Sequence, residues 1–255
     1  MGSPSTAVDV LARRSDLLRA VRERPRSKPA LVDALSVSRS TVDRAVRELE
    51  AEGFVERSGG VSLTLQGRLA LDSYETLSAD LAGLDGAASA LRTLPDDARV
   101  DTALFQNATV VEASPVAPQR ATEAYRSLAV DATRIRGYAS ALLDSTVPTL
   151  RDRIVADRLE MELVLGPGVL DALVGGHGDA VADARDTGRL TLQAASDALS
   201  YSLMLVETPA STHACALFYD DSGHTGLVCN DAPQAVEWAE DVYADLRAAA
   251  DALPA

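Results

Sequence analysis

The chain has 255 residues, 47% of them hydrophobic, and a formal net charge of -14. That length supports two domains with cores of their own, and the apolar fraction excludes a disordered chain. No run reaches the ~18–20 apolar residues of a membrane span, and the opening MGSPSTAVDVLARRSD has no apolar stretch fit for a signal peptide. A soluble cytoplasmic protein with no membrane partner is therefore expected.

Charge is unevenly spread. Residues 1–72 hold 12 Lys+Arg and 10 Asp+Glu, a balance of +2, while the remainder carries -16. An acidic surface repels phosphate, so any nucleic acid would meet the first 72 residues. Lys28 is the one lysine among 24 basic residues, and Ala and Asp are abundant. GC-rich codons favour Ala, Arg, Asp, Gly and Val, but a salt-adapted, halophilic source accounts better for the acid excess. Molar salt shortens the Debye length to ~3 Å, so short-range hydrogen bonds would carry more of any DNA contact than steering at a distance.

In chain order, Val10, Leu11, Leu17, Leu18 and Val21 recur at helical spacing over Val8–Glu23, with Arg13, Arg14, Arg19 and Arg22 on much of the other face. Ser27 is an N-cap and Pro29 suits a first turn. A second helix then runs to about Leu35, burying Leu31, Ala34 and Leu35. Ser36-Val37 makes a turn, with Val37 as a buried plug, and Ser38 caps a third helix. Val42, Val46 and Leu49 line one face of it; Arg39, Ser40, Thr41, Arg44 and Arg47 line the other. Gly53 stands where a left-handed residue stops a helix. Phe54–Arg57 and Val61–Leu65, around Ser58-Gly59-Gly60, read as a hairpin. The outline is a winged helix-turn-helix.

Thr64 caps a long helix from about Gln66 to Leu94, whose Leu69, Leu77, Leu81, Leu84 and Leu91 suggest pairing with a second copy. Pro95-Asp96-Asp97 breaks the pattern. Beyond it strands are expected at 108–113, 129–138, 160–165, 189–194, 202–207, 212–219 and 226–229. Helices are expected at 118–127, 148–159, 167–174 and 178–187, and from Pro233 onward. The expected fold is a two-domain α+β and α/β chain: a winged helix at 1–65, a linker and dimerisation helix at 66–94, and an α/β effector domain with a mostly buried sheet at 95–255.

A helix fits the major groove, and its first turns carry the side chains that meet base edges. Arg39 and Arg44 are the candidates for guanine, because a guanidinium bonds two acceptors at once. Ser38, Ser40 and Thr41 suit phosphates or bases. Lys28, Arg47 and Arg57 suit phosphates, and the small Gly59 and Gly60 let the hairpin turn approach the DNA backbone.

LVDALSVSRSTVDRAVRELEAEGFVER, LTLQGRLALDSYE and GLVCNDAPQAVEWAEDVYADLR resemble archaeal winged-helix regulators, specifically haloarchaeal relatives of the methanogenesis regulatory protein with a FilR1-type effector domain. The resemblance covers nearly the whole chain, and the segment from Gly226 to Glu240 is its most diagnostic part. Ser36 departs from the glycine often found at that turn. The resemblance implies a homodimeric transcription regulator that binds double-stranded DNA, with a small-molecule effector of unspecified kind. It also implies a distant likeness to the phospholipase-D fold, whose chemistry needs a His-x-Lys pair. No lysine follows Lys28, so that reaction is excluded, and the chain reads as no enzyme and as needing no cofactor.

Other constellations are weaker. His213, Cys215, His224 and Cys229 could hold zinc, but their spacing has no tight ligand pair, and two cysteines make no disulfide framework in an intracellular chain. Two buried thiols beside loop histidines are the plainer reading, with a metal or redox sensor, or an enzyme carrying a winged-helix module, as the alternative. His177 reads as a loop histidine. Glu160/Glu162 and Asp220/Asp221 read as solvated acids. Gly166-Pro167-Gly168 lacks the Lys and Ser/Thr of a phosphate loop. For a ligand, the general rule for open α/β sheets points to the strand ends at Ser114, Tyr138, Gly166, Asn230 and Asp231.

Overall fold

The computed structural model describes residues 4–114, 116–196, 198–220 and 223–253, without the side chains of Pro4, Ser5 and His224. The chain divides into two compact units, Met1–Ala79 and Asp80–Ala255. The division falls inside a helix, upstream of Pro95-Asp96-Asp97.

The first unit opens with α1 (Pro4–Ala20), α2 (Lys28–Leu35) and α3 (Arg39–Ala51). A hairpin of β1 (Val55–Arg57) and β2 (Val61–Leu63) follows, and then the first turns of α4 (Leu65–Gly86). The helix starts follow from caps. Ser27 accepts a hydrogen bond from the Ala30 N–H, and Ser38 accepts one from the Thr41 N–H. Thr64 Oγ1 accepts from the Gly67 N–H at 2.9 Å. The turn between α2 and α3 needs a left-handed residue, and Ser36 supplies it at φ 53°. Leu18, Leu31, Val42, Val46, Leu49 and Leu71 are fully buried in one core. Ala34 faces outward instead of inward, so α2 rests on the core chiefly through Leu31.

The second unit continues with α5 (Ala88–Leu91), a short 3-10 helix (Thr102–Leu104), β3 (Thr109–Glu112), α6 (Arg120–Asp131) and β4 (Arg134–Ala139). A second 3-10 turn (Asp144–Thr146) leads into α7 (Val147–Val155), then β5 (Glu160–Leu165), α8 (Val169–Asp186) and β6 (Leu190–Ala194). The chain ends with β7 (Ser202–Glu207), β8 (Thr212–Asp220), β9 (Gly223–Asn230), α9 (Pro233–Ala249) and β10 (Asp251–Ala252). The eight-stranded sheet has the order β10-β6-β5-β4-β7-β8-β9-β3. The β4–β5 and β5–β6 pairs are parallel; β10–β6 and every pair from β4–β7 to β9–β3 are antiparallel.

Strand alternation fills two cores. Ile135, Met204, Val206, Cys215 and Leu217 face α6, α7 and α8, while Tyr138, Leu203, Leu205, Ala216 and Phe218 face α5 and α9. The expected strand at 129–138 starts late. Tyr125 and Ala129, four apart and both buried, carry α6 on to Asp131 before the chain turns into β4. The two helices expected at 167–174 and 178–187 are one, kinked at His177.

Two readings of polar residues are corrected. Glu162 is not a solvated acid: it is 9% exposed, with Arg134 and Arg247 on its carboxylate. Arg136 pairs with Glu207 and with Glu240 of α9, so ion pairs tie the helix to the sheet. Cys215 and Cys229 are also not two separate thiols. They face each other across β8 and β9, Cα atoms 4.2 Å apart, and are joined by a disulfide.

A close approach in the sheet makes one position sensitive. A Cβ on Gly137 of β4 would lie 2.2 Å from the Leu203 carbonyl oxygen of β7. We expect Gly137→Ala to cost about 1–3 kcal/mol, the range for forcing extra bulk into a packed interior. Urea denaturation checks it: a wild-type midpoint would show that the β4–β7 spacing yields freely.

Candidate nucleic-acid interface

The amino end of α3 is built by hydroxyls. Ser38 Oγ lies 2.8 Å from Ser40 Oγ and 2.9 Å from Thr41 Oγ1, in addition to capping Thr41. These groups hold the helix start, where backbone N–H groups and the dipole favour an anion. Ser38 is thus engaged with its own helix before any DNA contact. Val42, Ala45, Val46 and Leu49 turn inward, which leaves Arg39, Arg44 and Arg47 on the exposed side.

Carboxylates hold five of the twelve basic side chains of this unit. Arg14 pairs with Glu48 at 2.8 Å, Arg57 with Glu50 at 2.6 Å, and Lys28 with Asp43. Arg19 and Arg22 both hold Glu75, at 2.8 and 2.7 Å, and each takes a further Asp. Arg39 and Arg44 neither hydrogen-bond nor ion-pair with a described residue, and Arg47 donates only to the Asp43 carbonyl. The Lys28 hydrogen bond, with Arg39 and Arg47 nearby, holds the Asp43 carboxyl below its ordinary pKa. Gly59 and Gly60 adopt φ of 70° and 144° in the turn of the hairpin, so the expected turn geometry is present there, although Arg57 beside it is already paired.

The five residues expected to hold a ligand are not gathered. Tyr138 and Gly166 do meet: a Cβ on Gly166 would lie 2.6 Å from Tyr138 Oη. Ser114 ends β3, with three strands between it and β4, roughly 20 Å away at ~4.8 Å per strand. Asn230 ends β9, which runs opposite to β4, and so lies at the other edge with the exposed Asp231. Asn230 is moreover fully engaged. Its Nδ2 donates to the carbonyls of Ala103, Leu104 and Gln106, and its Oδ1 accepts from the Ala232 N–H. The rule for strand ends assumes parallel strands, and this sheet reverses direction after β4.

Sequence reasoning missed an apolar cavity in the second unit. An apolar space of about 110 Å³ lies between the sheet and α6, α7 and α8. Its walls come from residues that each read singly as core, so no local signal marks it. The metal constellation is not assembled: His213 hydrogen-bonds Ser211, the cysteines are joined, and the His224 side chain lies outside the described residues. Among the described residues no group of three or more His, Cys, Asp or Glu could hold a metal. Of the pair Asp220/Asp221, Asp221 also lies outside them.

With this geometry, residues 118–249 match the sequence family described as the methanogenesis regulatory protein FilR1, middle domain. The chain belongs to that family. A second family, the HVO_A0261 N-terminal domain, matches residues 8–85. The protein is thus a regulator with a FilR1-like domain, and the resemblance of the sequence to such regulators stands. No curated protein matches the chain. Among solved structures, the archaeal chromatin protein TrmBL2 is similar at 14% identity, with 98% of this chain and 100% of that one covered and a TM-score of 0.43. Nuc, a phospholipase D family member from Salmonella typhimurium, is similar at 14% identity over 58% of this chain and 100% of its own, TM-score 0.43. An IclR homologue from Microbacterium sp. covers 94% of this chain and 98% of its own at 15% identity, TM-score 0.26. No property of these three proteins is carried over at such TM-scores. No helix among the described residues is long and apolar enough to cross a membrane.

The Glu75 ion pairs make an acid-dependent prediction. Hydrogen bonds from Arg19 and then Arg22 hold the Glu75 carboxyl below its ordinary 4.5. A carboxylate with a lowered folded-state pKa stabilises fully above its unfolded value and loses that contribution as pH falls through the folded value. Thermal melts of the full chain should therefore show stability declining below about pH 4.5, with Glu75→Gln flattening part of the decline. Identical acid profiles for the two proteins would remove these pairs as a source of stability.

Proposed function

We propose that the protein is a DNA-binding transcriptional regulator of the cytoplasm, in which residues 1–65 are a winged helix-turn-helix and the FilR1-type unit responds to a small molecule. The observation that carries this reading is the exposed basic face of α3 beside its hydroxyl-capped amino end. Arg39, Arg44 and Arg47 stand exposed on the outer face of α3 with no ion pair among the described residues, whereas Arg14, Arg19, Arg22, Lys28 and Arg57 are held by carboxylates; Arg13, Arg24, Arg26 and Arg68, off this helix, have no ion pair either. An exposed arginine in the first turns of a helix is suited to guanine edges or phosphates. The hairpin turn at Gly59 and Gly60 adds a second, backbone-level approach. Phosphodiester hydrolysis finds no support, since no lysine follows Lys28.

Fluorescence anisotropy on fragments selected by the protein from genomic DNA tests the reading. Arg44→Ala and Arg39→Ala should each weaken specific binding by ~1–3 kcal/mol and relax sequence preference, whereas Arg47→Ala should weaken binding evenly and reduce the salt slope by about 1. Arg19→Ala, whose guanidinium is spent on Glu75 and Asp16, should bind as the parent does. If the Arg39→Ala/Arg44→Ala double variant binds unchanged, α3 is not the reading helix.

We also propose a homodimer through α4. Leu65, Leu69 and Leu77 of α4 are 70, 59 and 47% exposed in the first unit, and exposed apolar side chains gathered on one element favour an interaction surface. Sedimentation equilibrium should give a dimer for the parent and a monomer for Leu69→Glu/Leu77→Glu. A dimer that survives the double substitution would place the contact elsewhere.

A further inference from the structure

Protein interiors are close-packed, and voids in them cost stability. The 110 Å³ cavity of the second unit is therefore a feature that needs an account. Its size approaches the ~150 Å³ engineered cavity that stays dry and takes benzene. Met161, Leu163 and Leu165 of β5 form the floor, and Leu150, Leu173 and Val181 of α7 and α8 form the roof.

One end of this apolar space is polar. The Ser140 N–H donates to Ser202 Oγ at 2.9 Å, and Ser202 Oγ–H donates to Tyr219 Oη at 3.3 Å. The phenol of Tyr125 also lines the cavity. Burial pushes the pKa of Tyr125 and Tyr219 upward, so both remain neutral hydroxyls. Arg151 is the one charged residue among the lining side chains, and its guanidinium is held by Asp183 and Asp152. Nothing there compensates the desolvation of a ligand carboxylate.

The roof has a break in it. α8 kinks at His177, between the cavity-lining Leu173 and Val181, and His177 Nε2 meets Asp144 Oδ1 at 3.1 Å across to the start of α7. Gly175, Gly176 and Gly178 flank the kink, and nothing lies within 4 Å of where their Cβ atoms would be. Packing does not require glycine at these positions, and each one weakens the helix. A roof that separates at the kink would give a ligand its way in.

We propose that this cavity is the ligand site of the FilR1-type unit and that it takes a neutral, mostly apolar molecule of about one ring, with a single hydroxyl or carbonyl directed at Ser202 and Tyr219. The site deepens the effector reading above and rests on it only for the consequence at DNA, not for binding itself. Occupation would favour whichever arrangement of α7 and α8 closes over the ligand.

The test uses the full chain without DNA, with phenol, toluene and benzoate as probes, read by calorimetry and by thermal shift. Phenol should bind about tenfold more tightly than toluene, the worth of one neutral hydrogen bond, and benzoate should not bind. Tyr219→Phe should remove the preference for phenol while leaving toluene unchanged. Val181→Trp, which fills the space, should abolish both; should that variant not fold, the phenol-to-toluene ratio in Tyr219→Phe decides. Absence of phenol and toluene binding at millimolar concentration, benzoate binding as tight as phenol's, or an unchanged ratio in Tyr219→Phe would each overturn the proposal. Because the readout involves no DNA, a failure here leaves the outcome at Arg39 and Arg44 standing, and the reverse also holds.

Discussion

Two-sided burial of the eight-stranded sheet is the constraint on which the second unit depends. Its central strands must supply apolar side chains to both faces, and β7 does so from Leu203 to Val206. The contact between β4 and β7 has to be close, because Gly137 leaves room there for the Leu203 carbonyl and for nothing larger. It is also where the sheet turns from parallel to antiparallel. The helices follow from this. Connections between parallel strands must cross a face, so α7 and α8 lie over one side between β4, β5 and β6. The antiparallel half needs only short turns, which leaves α9 free to cover the opposite side. The cavity lies against β4, β5, β6 and β7, under the crossover helices, where two of them share a roof.

Electrostatics divide the two units differently. In residues 1–79 several carboxylates are committed to cations: Glu48, Glu50, Asp72 and Glu75 each hold a named arginine. Those exposed pairs contribute little stability one by one. Their larger effect is to decide which cations are left uncompensated. A sum of charges over the unit cannot see this, since it counts Arg19 and Arg44 alike. In the second unit the arginines Arg134 and Arg136 lie between sheet and α9 instead, where Glu162 and Glu240 meet them. There, removal of one partner would leave a poorly solvated charge.

How much of this was legible in the sequence depended on how local the determining interaction is. Ser27, Ser38 and Gly53 act within one helical turn of themselves, so α2 and α3 could be placed to within a residue. The buried runs at 160–165 and 202–207 carry their own strand signal and matched in full. The failures involve partners distant in sequence. Asn230, at a strand end, reads as a ligand contact until the carbonyls of Ala103, Leu104 and Gln106 are brought to it. The cysteine pair depends on the register of β8 against β9, which spacing alone does not reveal. Glu162 resembles any other acid of this acidic chain until Arg134 and Arg247 reach it. The cavity is the extreme case: it is made of what is missing between well-chosen core residues.

That placement bears on how the two halves could act together. Residues 73–255, of net -16, do not attract DNA, so a direct contact of theirs with phosphate is disfavoured. The helix common to both units is α4, whose early turns bury Leu71 in the first core while Leu84 packs in a core of the second. A neutral ligand brings no charge with which to act at a distance. On the proposed reading it acts by contact alone, filling space beneath α7 and α8 and favouring one arrangement of that roof. Its effect on DNA is then bounded by the difference in affinity between the two arrangements, however tightly it binds either. A regulator built this way responds to the occupancy of a small apolar space, whereas the salt dependence of its DNA contact resides in α3.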